Sequence, residues 1–283
     1  MNIFLPLIFR IVSNPLTNVF QKKLTLQGLS SLWINFVSYF ILSLICLVNA
    51  FFADWTFLTK EIVLYSLCGG LFGALGNASL IKALSCGELS VLGPINAYKS
   101  IVALIVAFIL LREIPSCVGI CGIFLIIWGS YFIFDTLEEG FSIKLLRRPD
   151  IKYRLFATVF TAIEAVFIKQ VIVLSSALVS FWFWCWFGCV FSFLLLKIFK
   201  TSGYKSFVGL KFYVGIVLST GIMQLSTNYV FENMNVSYAL ALFQLSTIIS
   251  LLFGKHFFNE SHFIKKLCGS VIMVIGAIAV ILG

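Results

Sequence analysis

"EIPSCVGICGIFLIIWG" at residues 113–129 and "ESHFIKKLCGSVIMVIG" at residues 260–276 carry the same three landmarks, an acidic residue followed by two glycines. Glu113 matches Glu260, Gly122 matches Gly269 and Gly129 matches Gly276, each pair 147 residues apart. The same offset aligns Phe20 with Phe167, Lys22 with Lys169, Ser79 with Ser226 and Ser90 with Ser237, without a gap. Two apolar strings match at Leu and Phe by chance, but not at charged residues and glycines with a constant shift. The chain reads as an internal repeat.

What repeats is a membrane unit. Of 283 residues, 61% are hydrophobic and 11% charged, with a mean hydropathy of +1.08. A soluble domain is about 25% charged. Apolar spans fall near residues 1–21, 31–52, 62–83, 90–111, 116–134, 154–174, 177–198, 212–231, 237–257 and 264–282. Each approaches the ~20 residues that cross a hydrocarbon core about 30 Å thick. Backbone groups in lipid must be satisfied within the segment, which selects helices. The expectation is an all-α integral membrane protein with ten transmembrane helices: a five-helix repeat over residues 1–136, a polar linker over 137–153 and a second five-helix repeat over 154–283. Five is odd, so the second repeat must lie inverted. The first span has no basic leader and is interrupted by Arg10, so it reads as a mature helix and not a signal peptide.

The net charge of +9 does not imply a nucleic-acid partner, because the basic residues gather in short loops and at span ends, where they meet lipid headgroups. Eight cysteines lie scattered in apolar spans. Cys117 and Cys121, like Cys185 and Cys189, are one turn apart but lack further ligands, so they read as small apolar residues and no metal is expected.

Longer stretches around the landmarks, "GELSVLGPINAYKSIVALIVAFILLREIPSCVGICGIFLIIWGSYF" at residues 87–132 and "NVSYALALFQLSTIISLLFGKHFFNESHFIKKLCGSVIMVIGAIAVIL" at residues 235–282, resemble the EamA domain of the drug/metabolite transporter superfamily. The resemblance implies two inverted EamA repeats and a substrate site between them, near the bilayer midplane. There are departures: Pro94 fits the proline usual in the fourth span, but Ala241 stands at the matching place, and the second span lacks the basic residue often found there.

Polar residues inside the spans are the candidate site. Lys99 lies about 8 residues, roughly 12 Å, from the nearer end of its span, too deep to snorkel easily. An ionised side chain there costs about 2.5–3.5 kcal/mol on insertion scales, so it needs a partner or a wet cavity. Asn96 shares its face. Glu164 in the sixth span is the one carboxylate near the middle of any span and the natural counter-charge. A buried pair that only fixes packing is the competing reading. Arg10, Asn14 and Asn18 form a stripe on the first span, beside a kink expected at Pro15, and Thr220, Gln224 and Asn228 form another on the eighth. Asn77 and Gln244 are more isolated, each open to packing or ligand contact. Gly69, Gly73 and Gly76 read as a close helix contact. In "FWFWCWF", residues 181–187, the tryptophans alternate, and steps of about 200° prevent one flat wall. They read as filler.

The leading functional reading is a secondary transporter that moves a small polar organic metabolite, such as an amino acid or other carboxylate, by alternating access. Arg10 and Lys99 against Glu164 leave a cationic surplus suited to an anionic group. A flippase or exchanger for a lipid-linked or nucleotide-linked sugar is the alternative, and an assembly subunit without transport is a third. An enzyme is not expected, since His256 and His262 are the only histidines and lie near one loop. Nor is a P-loop present. No cofactor is expected; a proton taken up and released by Glu164 would couple transport. The partners are a small-molecule substrate and the lipid bilayer, and the sequence leaves monomer and homodimer open.

The expected location is the cytoplasmic membrane, crossed many times. Loops after odd-numbered spans hold most cations, among them Lys22, Lys23, Lys82, Lys144, Arg147, Arg148, Lys152 and Arg154, while the opposite side has Lys60, Arg112 and Lys169. Positive-inside logic places both termini outside the cytoplasm, whereas the family resemblance implies both inside. A cysteine placed at Ser142 should therefore resist membrane-impermeant reagents in intact cells; ready labelling would reverse the charge-based orientation.

Overall fold

The structure, a computed structural model, describes residues 3–53, 55–56, 58–102, 116–201 and 210–282. Glu113, the acidic landmark of the first repeat, lies outside them. No strand occurs among the described residues. The first half contains α1 (Phe4–Leu26), α2 (Ser31–Ala50), α3 (Lys60–Cys86), the short α4 (Leu89–Leu92) with a 3-10 turn at Pro94–Ala97, and α5 (Cys117–Phe134). The second contains α6 (Pro149–Leu174), α7 (Ala177–Ile198), α8 (Leu210–Asn233), α9 (Val236–Phe243), α10 (Ser246–Phe258) and α11 (Phe263–Leu282). Hydroxyl side chains set several starts, where Ser30, Thr59, Ser116 and Ser176 each accept an N–H of the first turn. Pro15 sits inside α1, which runs on unbroken.

Among the described residues, eight helices are long and apolar enough to cross a membrane. The other two expected spans are α1, interrupted by Arg10, and the fourth, which extends into residues outside those described. Phe124, Val48 and Leu64 are each more than half exposed, the outward apolar face of helices that meet lipid. Helix α6 begins at Pro149, so the last residues read as linker are helical. The rest of that segment is pinned by Arg148, whose guanidinium pairs with Glu139 at 2.7 Å and Asp150 at 3.1 Å.

Pairing between the halves is reciprocal. The 147-residue offset makes α6, α7, α8 and α11 the counterparts of α1, α2, α3 and α5. In space α1 packs on α8, α3 on α6, α2 on α7 and α5 on α11, a set left unchanged when the halves are exchanged. Counterparts run antiparallel. Gly122, early in α5, faces Gly276, late in α11, and Gly129 faces Gly269. A methyl at Gly122 or Gly129 would stand 2.6 Å from the opposing glycine carbonyl, so the glycines are what lets these backbones touch. Between α2 and α7, Asn35 Nδ2 donates to Ser192 Oγ at 2.9 Å, while Trp186 Nε1 donates to the Ser43 carbonyl at 3.3 Å.

The fourth and ninth spans are broken at corresponding places. The first changes to a 3-10 turn at Pro94–Ala97, and the second stops at Phe243 and restarts at Ser246. Pro94 accompanies only the first break, so the second forms without a proline. Gly129→Ala should lower stability by about 1–3 kcal/mol, read as a fall in the melting temperature of purified protein, with Val118→Ala on the exposed face as the near-neutral comparison.

Candidate functional site

A cavity of about 110 Å³ lies between the halves, walled by α1, α3, α6, α7 and α8 and by the two broken spans. Eight of the ten residues proposed from sequence line it: Arg10, Asn14, Asn18, Asn77, Asn96, Lys99, Glu164 and Gln224. The other two stand one layer behind. Asn228 Oδ1 accepts from Gln224 Nε2 at 2.9 Å, and Gln244 Oε1 accepts from Asn96 Nδ2 at 3.3 Å. Thus the stripes on α1 and α8 face one shared space.

Charge in this space is unbalanced. Arg10 rests its guanidinium 4.6 Å over the Phe243 ring, with Nε and Nη1 buried and unpartnered. Among the described residues no carboxylate comes within 4.0 Å of Arg10 or Lys99. The expected Lys99–Glu164 contact is therefore a shared cavity with electrostatic interaction across it, not a closed ion pair. Glu164 instead accepts Trp184 Nε1 on Oε1 at 2.6 Å. Gly73 makes the place for that carboxylate, since a Cβ there would lie 2.5 Å from Glu164 Oε1.

Sequence reasoning missed several wall residues, Arg154 and Trp184 chief among them. Arg154 reads as a linker charge but is buried in the second turn of α6 and lines the cavity. Its Nε donates to the Leu92 carbonyl at 2.7 Å and its Nη2 to Asn96 Oδ1 at 3.2 Å. The available signal was Pro149, a favoured first helical residue that starts α6 early. Trp184 reads as filler, yet it binds Glu164 and packs at a tilt against Tyr39, ring centroids 4.6 Å apart. Asn77, on the cavity wall, donates its amide to Asn35 Oδ1 at 2.7 Å and accepts from Gln21 Nε2 at 3.1 Å, so packing employs much of it.

Next to Gln21 of the cavity wall, contacts at the end of α1 tie several helix ends together. Glu260, between α10 and α11, receives Lys22 Nζ from the end of α1 at 2.7 Å and the amides of Leu89 and Ser90 at 2.7 Å each. Lys22 Nζ also donates to the Gly87 carbonyl at 2.9 Å, and Lys266 bonds Glu88 and Ser90 Oγ alongside. Lys22 and Arg154, loop charges in the sequence reading, are thus buried in protein, as is Lys266. Lys169, the counterpart of Lys22, donates to the Phe231 carbonyl and has no carboxylate partner among the described residues.

A profile of the EamA-like transporter family matches residues 12–135 and again 151–282. The chain belongs to the EamA-like transporter family. Each match takes in one half of the chain, so this EamA-like chain carries two copies of the family unit. No curated protein matches it. A solved structure described only as the crystal structure of a protein aligns with a TM-score of 0.66 at 12% identity, covering 96% of this chain and 95% of its own. At that identity the likeness concerns the fold alone.

Burial pushes the Glu260 carboxyl up, but Lys22 and the donors at Ser90 more than offset it, holding it below its ordinary value. A depressed value means that the carboxylate stabilises the fold above the ordinary pKa of about 4.3, and that this contribution disappears as pH falls through the depressed folded value. Glu260→Gln should therefore melt below the native protein near neutral pH, by about 3–5 kcal/mol if the pair behaves as fully buried. The gap should narrow in acid; melting curves against pH check it.

Proposed function

We propose that the protein is a secondary transporter with ten membrane spans in two inverted five-helix repeats. It moves a small polar organic metabolite bearing a carboxylate or other anionic group, such as an amino acid, across the cytoplasmic membrane by alternating access. The observation that carries this reading is the charge of the cavity. Among the described residues Arg10, Lys99 and Arg154 line it against the single carboxylate Glu164. An uncompensated cation in a low-dielectric bundle is costly, and an anionic substrate supplies the missing charge.

Three further observations support it. The cavity lies between antiparallel counterparts, where rocking of the halves would expose it alternately. Broken helices at Pro94–Ala97 and at Gln244 free polar groups next to the substrate space, as transporters of inverted repeats do. Size favours a small solute: an apolar cavity of about 150 Å³ holds one benzene, whereas this one has about 110 Å³. That argues against a nucleotide-linked sugar in the conformation described. Glu164, held by Trp184 on one oxygen only, is the group proposed to carry a coupling proton. The charge distribution supports termini outside the cytoplasm.

Thermal stabilisation of the purified protein across amino acids, organic anions, organic cations and nucleotide sugars tests the assignment. Selective stabilisation by carboxylate compounds, lost in Lys99→Ala and in Arg10→Ala, is the expected result. Stabilisation by cations or sugar nucleotides alone would overturn it. In Glu164→Gln, transport in vesicles should lose its dependence on a proton gradient; transport that stays proton-driven removes Glu164 as the sole carrier.

A further inference from the structure

Helix α4 is four residues long, and both its ends are held by side chains from the other half of the protein. At its start, the Leu89 and Ser90 amides donate to the two oxygens of Glu260. At its finish, the Leu92 carbonyl accepts from Arg154 Nε, and Asn96 Oδ1, a turn further on, accepts from Arg154 Nη2. The helix between these grips is wholly buried, and Gly93 passes so close to α10 that a Cβ there would lie 2.8 Å from Ser250 Cβ. A segment about 6 Å long, buried and gripped at both ends, moves as one piece.

The two grips face different spaces. Glu260 belongs to the tied end, where it also holds Lys22. Arg154 belongs to the cavity wall. We propose that Arg154 senses an anion in the cavity and that α4 transmits the change to the Lys22–Glu260 closure. The inference rests on the alternating-access reading and names the part that would link substrate to opening.

The chemistry is an exchange of acceptors. In the state described, the guanidinium donates to two neutral oxygens, the Leu92 carbonyl and the Asn96 amide. A carboxylate entering the cavity offers charge-assisted bonds, roughly twice as strong as neutral ones. Drawn to that anion, Arg154 releases Leu92, and a buried carbonyl without a donor favours displacement of α4. Displacement at Leu92 carries Leu89 and Ser90 away from Glu260. The carboxylate then loses two of its donors and keeps Lys22 alone, so the closure weakens when the cavity fills. Arg154 thus acts as a positioning residue for α4, and Glu260 as the receiver.

Hydrogen–deuterium exchange of the full-length protein in lipid nanodiscs, resolved over residues 87–97, tests the link without any substrate. Arg154→Gln should speed exchange of the Leu89 and Ser90 amides by about tenfold, although Arg154 touches neither, and Arg154→Lys, which can still donate to Leu92, should restore most of the protection. Conversely, Glu260→Gln should speed exchange at Gly93 and Asn96. The double variant should show less than the product of the single effects, because both act on one element. Faster exchange confined to residues 92–97 in Arg154→Gln, with Leu89 and Ser90 as protected as before, would overturn the proposal. Where Arg154→Gln exchanges faster along the whole chain, Asn96→Ala decides: it removes one acceptor of Arg154 and the donor to Gln244 while leaving the Leu92 contact in place, and the presence or absence of its effect at Leu89 and Ser90 supports or sinks the link. Failure of the exchange test leaves the substrate assignment from the ligand panel untouched, and failure of the panel leaves the exchange result standing.

Discussion

A cation within an apolar bundle must be given water, a counter-charge or a polar wall, and that requirement organises this protein. Arg10, Lys99 and Arg154 arrive from α1, from the broken fourth span and from α6, and they share one cavity. Around them the helices supply amides and hydroxyls on their inward faces and leave Phe124 or Val48 to the outside. Among the described residues Glu164 alone supplies negative charge to the cavity wall, and Trp184 and Gly73 hold it in place. The surplus of cations is what gives the site its chemical character.

The cavity exists because the halves touch closely elsewhere. Glycine-to-glycine contact joins α5 to α11, and Gly76 lets α3 lie against Thr161 of α6. Lipid offers helices no hydrophobic driving force for association, so close backbone approach and interhelical hydrogen bonds hold the bundle together. The bonds from Gln21 through Asn77 and Asn35 to Ser192 supply such a link across four helices. The α5–α11 and α2–α7 contacts join counterparts, so one sequence unit, used twice, makes both the scaffold and the space between its copies.

Polarity is distributed differently at the two ends of that space. Lys22 and Lys169 occupy equivalent places, and both donate to a carbonyl near the end of a neighbouring helix. Lys22 also meets Glu260, which the α4 amides bind as well. The described conformation is thus tied at the Lys22 end, and a protein built from two near-equal halves has become asymmetric through ionic contacts that can form and break.

The sequence by itself determined the membrane class, the repeat and eight polar residues of the cavity wall. Hydropathy follows from composition, the repeat is visible in Glu113, Gly122 and Gly129 and their counterparts, and the stripes on α1 and α8 follow from helical period alone. What it could not determine was partnership. Lys99 and Glu164 are similar in depth, yet they line one cavity without closing a pair, and Trp184, one of three alternating tryptophans, is the one that reaches Glu164. Arg154 lies near a charged linker in the chain and faces the cavity in space, because α6 begins five residues before it at Pro149. Tertiary structure decided these points, since helical period fixes which face a residue occupies but not which other helix that face will meet.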